Sequence, residues 1–309
     1  MLVTTLKKTW LCGFSYAVLA LAPVTSCGEN IFVVKSQNSP PIAQALEGFR
    51  ASCREPVVEI ELRGKSNQKE LLKALGEAKP DVVVAIGLQA AETSRDYVGN
   101  IPLLFVMVAN PNKRGLEGSN IAGISLNIPL IMQFTNYTNV VRNLRKLGVI
   151  YDEKKTGDVI REAKIEAEKI GMELVGISVN SPKAVADALK KLIEQKIDAL
   201  WMVADETVVT PASFQFLQRE TARNKLPFLA ASEIFVEKGA LASLTVDYTD
   251  MGRQAGEIVN QMIKDRKLFA ELRTVPPAKV KLAINLETVR LLGGVVNADA
   301  VKTASKIYQ

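Results

Sequence analysis

From Ile31 onward, short runs rich in Val, Ile and Leu alternate with stretches whose apolar residues recur at helical spacing. The predicted strands are Ile31 to Lys35, Val57 to Leu62, Asp81 to Ile86, Leu103 to Val108 and Ile121 to Leu126. Helices are predicted to start near Pro40, Asn67 and Leu88, and another covers about Leu130 to Lys146. A second series opens with Leu147 to Tyr151 and continues with Glu173 to Ser178, Ala199 to Val203 and Phe228 to Ala231. Its helices are Gly157 to Ile170, Pro182 to Gln195 and Pro211 to Asn224, and the tail from about Val295 to Gln309 also reads as a helix. Strands without period-two alternation are buried on both faces, as in a parallel sheet covered by helices. Because the alternation runs twice, the fold class expected is α/β, with two doubly wound units in tandem. Such sheets hold ligands at the carboxyl ends of their strands.

The amino-terminal pattern is different. Lys7 and Lys8 precede an apolar run from Trp10 to Ala22, followed by Val24-Thr25-Ser26-Cys27. That order matches a signal peptide over residues 1–26 that ends in a lipobox, with Cys27 as the lipidated residue. The run is shorter than the roughly 20 apolar residues that span a bilayer. Export to the periplasm or cell surface with a membrane tether is therefore the expectation. An uncleaved anchor and ordinary cleavage near Ser26 are the alternatives.

Composition narrows the chemistry. Of 309 residues 48% are hydrophobic and 23% charged, enough for two packed lobes after removal of a leader. The net charge of +6 is spread over interleaved acidic and basic positions, as from Lys154 to Lys169. No nucleic-acid footprint is expected from that distribution. The absence of histidine excludes a histidine base, histidine metal ligands and a histidine pH switch. Cys12, Cys27 and Cys53 form neither a zinc site nor a disulfide framework, and no cofactor or metal is expected. Were the leader cut elsewhere, Cys27 and Cys53 could pair in an oxidising compartment.

Polar and small residues collect at the predicted strand ends: Ser36-Gln37-Asn38, Gly87-Leu88-Gln89 and Ala109-Asn110-Pro111 in the first unit. Tyr151-Asp152, Asp205-Glu206-Thr207 and Ser232-Glu233 hold the same places in the second. Any one of them is explained as a helix cap. Their recurrence at one topological position in both units points to a cleft between two lobes. There is no Gly-rich nucleotide loop, and Gly115-Leu116-Glu117-Gly118 reads as a turn. Asn139 and Asn143 read as exposed helix positions, and Trp201 as core.

From Asp81 on, the chain resembles the substrate-binding proteins of ABC importers that include tryptophan- and tyrosine-binding members. The resemblance is carried by Val84-Ala85-Ile86-Gly87 with Ala90-Ala91, Phe105 to Pro111, and Gly118 to Ser125. It continues through Leu147 to Tyr151, Ile197 to Leu200, Gly239 to Ser243, Val246-Asp247-Tyr248, Met251 to Gly256 and Ala283 to Leu286. It implies the type I periplasmic-binding-protein fold, with three crossings between lobes. Lobe 1 would hold residues 31–127 and 239–266, and lobe 2 residues 128–238 and 267–309. By position, the family's ligand contacts fall on Gln37, Asn38, Leu88, Gln89, Asn110 and Ser125 in lobe 1. On lobe 2 they fall on Tyr151, Thr156, Asp205, Thr207, Ser232 and Glu233, with Asp247 near the hinge. The resemblance implies an amino acid or similar zwitterion as ligand, its ammonium paired with Asp205, Glu233 or Asp247, and Tyr151 stacked on a flat group. The family commonly shows Thr-Pro where Leu88-Gln89 stand and Asp-Pro where Asn110-Pro111 stand, so a hydroxyl and a charge are missing here.

The function expected is a noncatalytic, lipid-anchored binding module that closes on a small-molecule ligand and delivers it to an ABC permease. A sensory or accessory lipoprotein of the same fold is the alternative. A third reading, an exported hydrolase, would use Asp205 and Glu206 as paired carboxylates.

Overall fold

The computed structural model describes residues 30–63, 68–265 and 271–309. The predicted leader and Cys27 lie outside the described residues. Two parallel-type sheets each carry helices on both faces. In the first, β1 (Ile31–Lys35), β2 (Val57–Glu61), β3 (Val82–Ile86), β4 (Leu103–Val108) and β5 (Ile121–Ser125) run parallel in the order β2-β1-β3-β4-β5. The two-residue strand β11 (Thr274–Val275) adds to the β5 edge. Helices α1 (Pro40–Ser52), α2 (Gln68–Ala78) and α3 (Leu88–Tyr97) link these strands.

The second sheet repeats the order. Strands β6 (Lys146–Tyr151), β7 (Glu173–Ser178), β8 (Ala199–Trp201), β9 (Phe228–Ala230) and β10 (Ala242–Val246) are arranged β7-β6-β8-β9-β10. Two strands extend the β10 edge: β12 (Val280–Asn285), antiparallel to β10, and β13 (Lys306–Tyr308), parallel to β12. Helices α4 (Leu130–Val140), α5 (Glu153–Lys169), α6 (Val185–Glu194), α7 (Pro211–Arg223) and α8 (Glu233–Glu237) belong to this unit. So do α10 (Leu286–Leu292) and α11 (Ala298–Thr303), whereas α9 (Tyr248–Lys264) packs on α1 of the first. In this strand order the chain reverses direction across the sheet between β1 and β3, and again between β6 and β8. Ligands bind outside the carboxyl ends of strands at such points.

Several expected boundaries move. The second lobe-1 segment expected over 239–266 is corrected: β10 pairs with β9 and β12, so residues up to Val246 belong to the second sheet and the crossing falls at Asp247. Conversely, β11 pairs with β5, so the crossing into lobe 2 follows Val275 and does not lie at 267. Helix α4 stops at Val140, where Val141 bridges Val296 and Arg142 N–H donates to the Val295 carbonyl. Helix α5 begins four residues before Gly157, because the Asp152 carboxylate accepts from Lys154 N–H and caps it. The tail is not one helix. It turns into β13, which occupies the open edge of β12.

The contact between α1 and α9 is backbone-close. A methyl group at Gly48 would overlap the Thr249 carbonyl oxygen, and one at Gly252 the Ala45 carbonyl oxygen. Only glycine admits that approach. It seats α9, the first element after the second crossing, on the core that holds Ile42, Phe49, Met251 and Val259.

Candidate functional site

The two sheets present their carboxyl ends to a cavity of about 550 Å³. From the first lobe come Asn110, Lys113 and Asn127; from the crossing, Ile128, Pro129 and Leu130. The second lobe supplies Gln133 and Tyr137 of α4, Lys155, Thr156, Val159 and Glu162 of α5, and Trp201 to Ala204 with Ala231 at the ends of β8 and β9. The floor is rigid: Trp201 meets Phe134 edge to face at 5.2 Å between ring centroids, and both are buried.

Each reversal point is tied down by a polar group. In lobe 1 the Ser36 hydroxyl accepts from Ala90 N–H at 3.0 Å, and Gly87, at φ +94°, leaves room for that hydroxyl. In lobe 2 the tie is Asp205, only 1% exposed. Its Oδ2 accepts from Asp152 N–H at 2.8 Å and from the Thr156 hydroxyl at 2.6 Å. Its Oδ1 accepts from Thr207 N–H at 2.9 Å and Val208 N–H at 3.2 Å. The Thr207 hydroxyl in turn donates to Asp152 Oδ2 at 2.8 Å. That hydrogen bond, with the one from Lys154 N–H, holds the Asp152 carboxyl below its ordinary pKa. Ends of β6 and β8 are thereby joined through carboxylates whose acceptor sites are filled by the protein.

The other expected carboxylates are engaged in the same way. Glu233, at the start of α8, accepts from the Thr245 hydroxyl at 3.2 Å, Lys306 Nζ at 3.0 Å and the Tyr308 hydroxyl at 3.2 Å. Asp247 caps α9 by accepting from Asp250 N–H at 3.1 Å and pairs with Lys281 Nζ at 3.1 Å. Burial pushes both carboxyls up, yet these donors outweigh it and hold both below the usual carboxylate range. Lys279 Nζ stands 3.3 Å from Asp250 Oδ1, so β12 and the segment before it clamp the first turn of α9 at the crossing.

Of the expected contacts, Asn110 and Thr156 line the cavity. Gln37 and Asn38 are exposed and Leu88 and Gln89 half-buried at the lobe 1 reversal point. Ser125 is buried, donating to the Val108 carbonyl at 3.3 Å and accepting from Asn127 N–H at 3.0 Å. Tyr151 packs inside lobe 2 over Gly176, and Ser232 is the residue before α8. Lys113, Asn127, Gln133 and Lys155 line the cavity but were not expected there. Lys113 and Lys155 were legible only as residues just after Asn110-Pro111 and Tyr151-Asp152. Asp205 and Glu206 do not form a catalytic pair: the first is buried among four donors, and the second is exposed and 3.4 Å from Lys155 Nζ.

Among the described residues no cluster of His, Cys, Asp and Glu could hold a metal ion, and no helix is long and apolar enough to cross a membrane. The family model described as ABC transporter substrate binding protein matches residues 40–307. The chain belongs to that family. A tyrosine-binding protein of Clostridioides difficile (strain R20291) is 22% identical over 293 residues, 89% of this chain and 84% of that protein. The ligand-free, open structure of a substrate-binding protein with adhesive properties from Clostridium difficile superposes with a TM-score of 0.72 at 19% identity, covering 91% of this chain and 99% of that one. An ABC domain from Streptococcus pneumonia in complex with L-Trp gives a TM-score of 0.51 at 22% identity over the same shares. The two-lobed periplasmic-binding fold of the family is thus the fold of this chain.

Proposed function

We propose that this member of the family is an extracytoplasmic, lipid-anchored solute-binding protein that captures a small molecule between its lobes and hands it to an ABC permease, without catalysis. The observation that carries this reading is the cavity of about 550 Å³ at the facing carboxyl ends of two sheets, with chain crossings behind it. Its size suits a metabolite of amino-acid dimensions and lies within the range of about 300–1,000 Å³ of small-molecule sites. Asp205 and Glu233 at the strand ends have both carboxylate oxygens occupied by protein donors, which leaves neither free to act as an acid or base. Binding here requires only that the ligand favour the closed arrangement over the open one.

Asn110 and Thr156 are the proposed direct contacts already in the wall, with Gln37, Asn38, Leu88 and Gln89 brought up by closure. Ser125, Tyr151, Thr207, Ser232, Glu233, Asp205 and Asp247 shape the site by holding the strand ends. The tyrosine-binding relative and the L-Trp complex support a ligand of amino-acid size. Full-length protein carrying Ala231→Trp, which fills the cavity from an exposed wall position, is expected to keep its fold and lose calorimetric binding of every solute the natural protein takes up. Retained binding would move the site elsewhere. Replacing Cys27 by Ser is expected to release the protein from the membrane fraction, and persistence there would refute the lipid anchor.

A further inference from the structure

The charges that remain free to meet a ligand in the cavity are mostly positive. Asp205 and Glu233 have both acceptor oxygens taken by donors of the protein itself, and Asp247, which is not in the cavity wall, is paired through Oδ1 with Lys281 and Asp250 N–H. In lobe 1 the segments after β1, β3 and β4 carry amides, a hydroxyl and a leucine, and the acid that ends β2, Glu61, is paired with Lys35 at 3.4 Å. Asn110 Oδ1 accepts from Asn127 Nδ2 at 2.8 Å, and the amide N–H pair of Asn110 is a donor available to a ligand. Lys113 of lobe 1 and Lys155 of lobe 2 both line the cavity, from opposite sides of the crossing. Among the described residues Lys155 is paired with Glu206 at 3.4 Å, with side chains 52% and 87% exposed, a pairing too solvated to hold it. The one further acid in the wall, Glu162, stands seven residues beyond Lys155 on α5, about 10 Å along the helix axis and away from the strand ends. Gln133, Tyr137 and Thr156 aside, the rest of the wall is apolar, with Ile128, Leu130, Val159 and Trp201.

Resting on the reading of the cavity as the solute site, we propose that the preferred ligand is a small carboxylate with an apolar body and no ammonium group. An ammonium brought to the strand ends that line the cavity would meet no carboxylate of the wall there and would lose its hydration without replacement, which is costly. A carboxylate there meets two lysines and an amide donor. The same two lysines make the anion a condition of closure. Bringing Lys113 and Lys155 together across the cleft sets like charges against each other, and an anion between them turns that repulsion into two attractions. The ligand then has the differential affinity for the closed state that a closing protein needs.

The test uses the full-length protein in detergent and two matched sets of probes. One is L-tyrosine, 3-(4-hydroxyphenyl)propanoate and tyramine; the other is L-leucine, 4-methylpentanoate and 3-methylbutylamine. Calorimetry is expected to show the acid of a set bound at least about tenfold tighter than its amino acid, with the amine unbound. Lys113→Gln and Lys155→Gln should each weaken the acid about tenfold, while Lys190→Gln on the exposed face of α6 should not. These substitutions are at exposed positions and leave the core intact. Amino acids bound as tightly as or more tightly than the acids, or acid binding indifferent to both lysines, would overturn this inference and leave the solute-binding reading standing. Failure of every probe in both sets, with the protein folded by circular dichroism, would overturn the inference and the proposed cavity function together.

Discussion

Asp205 shows how far a residue's role depends on what reaches it first. As a carboxylate at a strand end it reads as a partner for a ligand's ammonium, but four protein donors converge on it inside a single lobe. Asp205→Asn puts an N–H pair among donors, and the expected cost is about 2–3 kcal/mol in denaturant unfolding, against less than about 0.5 for Glu206→Gln on the exposed side. Residue type and position were legible in the sequence at every strand end. Orientation was not, because which donors meet Asp205 depends on Asp152, Thr156 and Thr207 arriving from two separate strand ends. Glu233 and Asp247 carry a pH consequence. Their folded pKa values lie below the ordinary ones, so the stability they supply is complete above the usual carboxylate range and is lost as pH falls through their folded values. Melting temperature should drop on acidification below about pH 4. The double replacement Glu233→Gln with Asp247→Asn should flatten that drop while lowering stability at neutral pH; an unchanged acid limb would remove these groups from the account.

At the scale of elements, the strands that run Val-Val-Val or Leu-Leu-Phe-Val were legible because a doubly covered parallel strand needs an unbroken apolar run. The sheet to which Ala242–Val246 belongs was not. Its composition suits either sheet, and only its pairing with β9 and β12 decides. Strand β13 escaped for a similar reason: three residues acquire extended structure only because the edge of β12 is open to them. Glycine spacing in Met251 to Gly256 was visible, but its purpose emerges in the contact of α9 with α1. Gly48→Ala or Gly252→Ala should each cost about 1–3 kcal/mol, since the added methyl meets backbone that cannot step aside. Gly76→Ala is the converse. In the interior of α2, with nothing within 4 Å of the new methyl, it should stabilise by about 0.5–1 kcal/mol. Equal effects at the three positions would contradict the packing described for α1 and α9.

Across the whole molecule, two sheets of the same strand order face each other across one cavity and are joined at Leu126 to Pro129, at Asp247 and between Val275 and Val280. Ion pairs Lys281–Asp247 and Lys279–Asp250 sit at these joints, and the proposed closure requires a rotation of one lobe to be absorbed by the few residues there. The repeated α/β alternation made the two-lobed plan legible from the sequence, while the joints had to be read from strand pairing. The central claim is that a small solute closes this cleft. Small-angle X-ray scattering of the full-length protein in detergent matched to the solvent, with and without saturating probes of the two sets above, tests it directly. A fall in the radius of gyration with at least one probe, absent in Ala231→Trp, is the predicted result. An unchanged radius with a probe that calorimetry shows to be bound, or the same contraction in Ala231→Trp, would contradict capture by closure between the lobes.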